Sequence, residues 1–130
     1  GIAGLGASLA FLERIGWDAV RTHENALARR FYESVKTLPG VKVYGDFTVQ
    51  ERAPIVTLNI ADLDSSEVAD ELAERFQIAT RPGAHCAPRL HRALGTEDRG
   101  AVRFSWSYFN TEVETDAAAE AVRTLAEEAL

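Results

Sequence analysis

Residues 101–109, AVRFSWSYF, carry the clearest strand pattern in the chain. Every second side chain in this stretch is apolar or aromatic, namely Val102, Phe104, Trp106 and Tyr108. The polar side chains between them, beginning with Arg103, would point to the opposite face, because successive side chains of a strand alternate. The stretch therefore predicts a strand with one face in a core and one face that carries polar groups.

This strand runs directly into a helix signal. Thr111 is followed at the third helical position by Glu114, which is the spacing of a capping box. Four apolar side chains then recur on one side of the predicted helix: Ala118, Val122, Leu125 and Ala129. The end of the chain is thus predicted as strand, turn and amphipathic helix.

The upstream sequence mixes helical and strand periodicities, with a break at Gly16. Strands are predicted at residues 41–44, 55–60 and 78–81, and helices at residues 5–15, 20–38, 64–76 and 87–94. This order predicts an α/β fold, an α+β sandwich in which helices cover a sheet of about four strands. The length suits one domain spanning residues 1–130.

Bulk composition narrows the function classes. The net charge of −6 argues against binding to nucleic acid phosphates or to an anionic membrane. No stretch reaches the about 18 consecutive apolar residues that a membrane helix needs. The single cysteine excludes an internal disulfide and fits a reducing cytoplasm. The chain contains no methionine, even at its first position, which favours a piece cut from a longer protein.

The segment ATRPGAHCAP at residues 79–88 is the strongest candidate for chemistry. Cys86 lies in a loop bounded by Pro and Gly, with His85 beside it and Arg81 five residues before it. Positive charge and a helix N-terminus nearby favour the thiolate, which is the reactive form of cysteine. The alternative is that Cys86 is a small buried apolar residue, and composition alone leaves both interpretations open.

Arg103 also admits two interpretations. An arginine on the polar face of an apolar strand needs a partner, and the simpler one is an acidic side chain of the same chain. The other is a substrate carboxylate, which the planar guanidinium can bind with two parallel hydrogen bonds.

The histidines and glycines give weaker signals. His23 falls within a predicted helix and is expected to be a surface or packing residue, whereas His91 could support the cysteine loop. His85, Cys86 and His91 lack the spacing of a structural zinc site, so no metal is expected. The glycines near the start of the chain do not form a nucleotide-binding loop.

The cysteine loop and the arginine strand, in this order, resemble the cysteine desulfurase and selenocysteine lyase family, within the class V aminotransferases. That family has an R-x-G-x-H-C-A-x-P-like loop, and residues 81–88 read RPGAHCAP. It also has a G-x-x-R-x-S-x-x-x-x-N-T segment, and residues 100–111 read GAVRFSWSYFNT. The resemblance covers nearly the whole chain and matches the C-terminal small domain of these pyridoxal phosphate enzymes of fold type I.

The resemblance implies a dimeric enzyme that takes sulfur from L-cysteine, or selenium from L-selenocysteine, and releases L-alanine. Cys86 matches the nucleophile that becomes a persulfide and passes its sulfur to an acceptor protein. Arg103 matches the arginine that binds the substrate carboxylate. His85 and Arg81 match flanking loop positions with a supporting role, and the Asn-Thr pair at residues 110–111 matches a motif that shapes the turn into the last helix.

One part of the family pattern is missing. The family holds pyridoxal phosphate through a lysine in an S-x-H-K-like segment of a preceding large domain. This chain has only Lys36 and Lys42, and neither lies in such a segment. We therefore expect no cofactor-binding residue here, pyridoxal phosphate only in the full-length enzyme, and a fragment that is inactive alone.

Other functions remain open at the level of sequence. A class V aminotransferase or epimerase would not use Cys86. A binding or sulfur-relay module without a large domain would not be a catalyst. A thiol peroxidase is disfavoured, because no second cysteine is present to resolve the oxidised thiol.

Overall fold

The computed structural model describes all residues, 1–130, as five helices and a three-stranded sheet. The elements follow in the order α1 (Ile2–Ile15), α2 (Trp17–Val35), β1 (Val41–Tyr44), β2 (Ile55–Ile60), α3 (Ser65–Phe76), α4 (Pro88–Leu94), β3 (Val102–Ser105) and α5 (Glu112–Glu128). The α/β class and the order of the elements agree with the sequence prediction. No helix is both long and apolar enough to cross a membrane.

The sheet is antiparallel throughout, in the order β1-β2-β3, and has one strand fewer than predicted. The segment 78–81, predicted as a strand, contributes a single bridge between Arg81 and Arg103. At its start, the N–H of Ile78 donates to the carbonyl of Leu72 in the closing turn of α3. Beyond Pro82, the N–H of Gly83 donates to Oγ of Ser65 at 3.1 Å instead of to β3, so the pairing does not extend into a strand.

The strand at residues 101–109 is shorter than predicted, although its alternation is correct. Phe104 and Trp106 are buried, whereas Ser105 and Ser107 are exposed. The ladder ends in a turn, because the side-chain carbonyl of Asn110 accepts a hydrogen bond from the N–H of Ser107 at 2.9 Å. Tyr108 and Phe109, at the end of the predicted strand, therefore form a turn instead.

The core lies between one face of the sheet and the helices α2, α3 and α5. Phe31 of α2 is fully buried, with its ring centroid 4.6 Å from that of Phe104 and 5.0 Å from that of Trp106. Burying one such large apolar side chain stabilises a fold by about 1.5–3 kcal/mol. Since the core occupies one face of β3, Arg103 is left on the other face.

Helix α1 ends where predicted, at Gly16, whose φ of 94° leaves the helical region. None of its residues is buried, and its apolar side chains Ile2 and Leu5 are 92% and 62% exposed. It contacts α2, and the ring of Phe11 stacks on that of Phe109 at 5.8 Å.

Candidate active site

The cysteine loop connects the Arg81 bridge to helix α4. Its backbone passes through two consecutive non-glycine residues with positive φ, His85 at 51° and Cys86 at 60°. Such conformations cost on the order of 1–3 kcal/mol each and persist only where surrounding contacts hold them. Ala87 caps α4 and Pro88 is its first residue, so Cys86 lies next to the start of the short helix, as predicted.

Cys86 is exposed and its thiol is free. The Nη2 of Arg81 donates a hydrogen bond to its Sγ at 2.9 Å. The alternative interpretation of a buried packing cysteine therefore does not hold. The sulfur is open to solvent and in contact with a permanently charged donor.

His85 has no hydrogen bond to the sulfur and contacts the backbone of the loop instead. Its Nε2 lies 2.9 Å from the carbonyl oxygen of Arg81. Burial lowers the pKa of the His85 imidazole below its ordinary value, the hydrogen bond to the Arg81 carbonyl raises it in part, and the neighbouring His91 and Arg103 lower it further. The neutral imidazole is therefore favoured in the folded state.

His91 contributes more than its sequence signal indicated. It is 1% exposed, and both of its ring nitrogens have partners. Its Nε2 lies 3.2 Å from Nδ1 of His85, and its Nδ1 lies 2.8 Å from Oγ1 of Thr96. Sequence analysis overlooked Thr96, whose signal is its position directly after Gly95, the left-handed residue that ends α4.

Arg103 has no acidic partner within the chain. It lies on β3, half-buried, and its Nε is buried without any hydrogen-bond partner. Other arginines of the chain do form ion pairs, such as Arg99 with Asp62 at 2.8 Å and Arg30 with Asp116 at 2.6 Å. The simpler interpretation of Arg103, a salt bridge within the chain, is therefore wrong.

Backbone contacts join the cysteine loop to the arginine strand. Arg81 and Arg103 exchange two hydrogen bonds, and the carbonyl of Gly83 accepts a third from the N–H of Ala101 at 3.2 Å. The close approach requires Gly100, since a Cβ there would lie 2.6 Å from Cα of Gly83 and its φ is +63°. Gly100, which begins the G-x-x-R segment, thus allows the cysteine loop to pack against the start of β3.

The turn after β3 is built as the sequence predicted. The Oγ1 of Thr111 accepts from the N–H of Glu114 at 3.2 Å, and the Glu114 carboxylate accepts from the N–H of Thr111 at 2.9 Å. His23 also reaches this turn, with its Nε2 2.9 Å from the carbonyl oxygen of Asn110. His23 is therefore a structural contact between α2 and the turn.

Two curated relatives of the chain are both named probable cysteine desulfurases. It is 39% identical over 120 residues to a probable cysteine desulfurase of Halalkalibacterium halodurans, covering 92% of this chain and 28% of the relative. It is 33% identical over 127 residues to a probable cysteine desulfurase of Methanothermobacter thermautotrophicus, covering 97% of this chain and 31% of the relative. The chain thus spans about three tenths of the length of the curated relatives it matches.

Solved structures agree with the fold. The apo cysteine desulfurase from Thermococcus onnurineus NA1 superposes with a TM-score of 0.88 at 30% identity, over 96% of this chain and 30% of that one. The cysteine desulfurase CsdA from Escherichia coli, in an S-sulfonic acid form, gives a TM-score of 0.84 at 27% identity, over 100% of this chain and 31% of that one. The family model for class-V aminotransferases matches residues 1–117. The chain therefore belongs to the class-V aminotransferase family.

Proposed function

We propose that this chain is the C-terminal small domain of a cysteine desulfurase, in which Cys86 accepts sulfur from L-cysteine and Arg103 binds the substrate carboxylate. The observation that carries the proposal is the pairing of an exposed, arginine-bound thiol with an arginine that has no acidic partner. The loop and the strand that carry them are joined through the backbone of Arg81 and Arg103.

The proposed reaction is a sulfur transfer. The thiolate of Cys86 forms an S–S bond with the substrate sulfur while the substrate C–S bond breaks. The electron pair of that bond stays on the substrate carbon, which takes up a proton and leaves as L-alanine. Cys86 is left as a persulfide, whose outer sulfur a second protein accepts. L-Selenocysteine would present the same carboxylate to Arg103 and a selenium atom to Cys86.

Each residue of the site has a stated part in this reaction. The guanidinium of Arg81 donates to Sγ of Cys86, and hydrogen bonds to charged acceptors are stronger than those to neutral ones. Arg103 would take the carboxylate by two parallel hydrogen bonds, which also satisfies its buried Nε. His85 positions the loop backbone and has no hydrogen bond to the sulfur.

The residues of this chain do not fit pyridoxal phosphate. Lys36, at the end of α2, forms an ion pair with Glu33. Lys42 is on β1, which β2 separates from β3, and its ammonium lies over the ring of Tyr44 at 5.0 Å. Neither amine is available beside Arg103 or Cys86. In the full-length enzyme, the cofactor would be bound by residues outside this chain and would delocalise the electron pair left on the substrate carbon.

The proposal also covers the cellular compartment, the oligomeric state and the protein partner of the enzyme. A free, exposed thiol is stable in a reducing compartment, so we place the protein in the cytoplasm. The full-length enzyme is proposed to be a homodimer that hands sulfur to an acceptor protein. Those features rest on the resemblance to the family.

The test is turnover of L-cysteine by the full-length protein that contains this chain, with alanine and protein-bound sulfur measured separately. Cys86→Ala and Cys86→Ser should abolish sulfur transfer, and mass spectrometry should find one added sulfur atom on Cys86 of the wild type. Arg89→Ala is the matched control, because Arg89 is an exposed residue of the adjacent helix. Alanine release at the wild-type rate in both Cys86 variants would assign the protein to a class V reaction that does not use the thiol.

A further inference from the structure

We infer that the buried pair His91 and Thr96 is a positioning device for the cysteine loop. Thr96 fixes the tautomer of His91, His91 fixes that of His85, and His85 holds the carbonyl of Arg81. These hydrogen bonds all lie within this chain, whereas their effect on catalysis rests on the proposed function.

The first step follows from the nature of the acceptor. A backbone carbonyl oxygen can only accept, so Nε2 of His85, 2.9 Å from the oxygen of Arg81, must carry a hydrogen. In the neutral ring, Nδ1 of His85 is then an acceptor. The tautomer of His85 is thus set by the Arg81 carbonyl and by whichever group donates to Nδ1.

That donor is His91. Its Nε2 lies 3.2 Å from Nδ1 of His85, so Nε2 of His91 carries a hydrogen and its Nδ1 does not. The ring is 1% exposed, which leaves no room for solvent to supply an alternative donor. A protonated His85 would turn Nδ1 into a second donor facing the N–H of His91, and this link would break.

Thr96 completes the chain of hydrogen bonds. Its hydroxyl lies 2.8 Å from Nδ1 of His91, which needs a donor in this tautomer, and 3.4 Å from the other acceptor in reach, the carbonyl oxygen of His91; the shorter contact is assigned the hydroxyl hydrogen. The N–H of Thr96 donates to the carbonyl of His91 at 2.9 Å, so Thr96 is anchored on the end of α4. All hydrogens therefore point the same way, from Thr96 to His91, from His91 to His85, and from His85 to Arg81.

These hydrogen bonds act on the surroundings of the Cys86 sulfur. The last acceptor belongs to Arg81, the residue whose side chain donates to Sγ of Cys86. The loop between them contains the two positive-φ residues, His85 and Cys86, which need outside contacts to hold them. Fixing His85 at both ring nitrogens supplies such contacts, and it keeps the Arg81 guanidinium and the Cys86 sulfur in register.

The test compares Thr96→Val with Thr96→Ser in this chain. Valine has nearly the shape of threonine but no hydroxyl, and serine keeps the donor. Imidazole nitrogen NMR shifts should show Nε2–H tautomers for both His85 and His91 in the wild type and in Thr96→Ser. In Thr96→Val, His91 should shift toward the Nδ1–H form and His85 should follow.

Alkylation of Cys86 by iodoacetamide gives the functional readout without substrate or cofactor. Thr96→Val should react roughly threefold to tenfold more slowly near neutral pH, the scale of one lost buried hydrogen bond, and Thr96→Ser should match the wild type. His91→Gln, which keeps a donor near the Nε2 position, should fall between them. Should Thr96→Val destabilise the fold, this second variant still tests the inference.

Two results would overturn the inference. One is an Nδ1–H tautomer at His91 in the wild type, and the other is unchanged tautomers and alkylation in Thr96→Val. Neither result bears on sulfur transfer by the full-length enzyme. Conversely, retained turnover in Cys86→Ala would remove the proposed function and leave the hydrogen-bond chain intact.

Discussion

Arg81 and Arg103 bind each other through the backbone in both directions. The N–H of Arg81 donates to the carbonyl of Arg103 at 3.1 Å, and the N–H of Arg103 donates to the carbonyl of Arg81 at 2.9 Å. Their side chains differ in their contacts, because the first holds Sγ of Cys86 and the second has a buried Nε without a partner. Since the joint is made by the backbone, either side chain can be replaced without separating the loop from the strand.

The contact between Arg81 and Cys86 predicts the reactivity of the thiol. Arg81→Met keeps an unbranched side chain and removes the donor, so alkylation of Cys86 near neutral pH should slow by about tenfold, the scale of one hydrogen bond to a charged group. Rates of iodoacetamide labelling measure this. Arg89→Met, on the adjacent helix, is the control and should label like the wild type. Equal rates in all three proteins would contradict a role for Arg81 at the sulfur.

Arg103 should matter for substrate and little for folding. Arg103→Met should raise KM for L-cysteine in the full-length enzyme by about 10- to 100-fold, because hydrogen bonds to a charged group contribute about 1.5–3 kcal/mol. The free energy of unfolding of this chain should change by less than about 1 kcal/mol, since the variant removes a buried donor that has no partner. Arg99→Met removes an arginine paired with Asp62 and should leave KM unchanged. A normal KM in Arg103→Met would place carboxylate binding elsewhere.

His85 makes stability depend on pH in the mildly acidic range. Its pKa in the folded state lies below the ordinary 6.5, mainly through burial, so the unfolded chain binds more protons there than the folded chain. The stabilisation is complete above about pH 6.5 and is lost as pH falls toward the lowered pKa. The groups that face the ring are the backbone carbonyls of Arg81 and Ala101, the charged Arg103 and the ring of His91.

Urea midpoints measured across this pH range test the effect. In His85→Gln, whose amide can still donate to the Arg81 carbonyl, the decline as pH falls below about 6.5 should shrink. The lowered pKa values of Glu114 and Asp116 affect stability only at lower pH, below their ordinary values of 4.5 and 3.8. An identical decline in His85→Gln would show that another group titrates in this window.

The capping box at α5 predicts a loss of stability. Thr111→Ala should lower the free energy of unfolding by about 0.5–2 kcal/mol, because the N–H of Glu114 loses its acceptor. Denaturant unfolding measures the change. Thr124→Ala is the control, because the Thr124 hydroxyl donates to the carbonyl of Glu120 within the same helix and caps no free end. Its removal should change the free energy of unfolding by less than about 0.5 kcal/mol. Equal losses in both variants would mean that the cap itself contributes nothing.

Much of the fold was predictable because the signals are local. The alternation at Phe104 and Trp106, the capping box at Thr111 and the break at Gly16 each depend on neighbouring residues alone. The loop around Cys86 has no apolar periodicity, which favours exposure, but composition left a buried cysteine open until the structure showed the residue exposed. The fourth strand was not, because strand pairing depends on a distant partner and on whether each N–H is free. The N–H of Ile78 bonds back to Leu72 at the end of α3, and the N–H of Gly83, just past the segment, donates to Ser65.

The sequence by itself determined the residue types of the candidate site, Cys86, His85, Arg81 and Arg103, and their order along the chain. Tertiary structure alone decided their partners. A hydrogen-bond partner is selected by distance in space, and the backbone partner of Arg103 is Arg81, which lies on a separate segment of the chain. Tertiary structure also decided that His91 is buried and that its two ring nitrogens contact Thr96 and His85. Burial excludes water, and only then does the direction of each hydrogen bond become fixed.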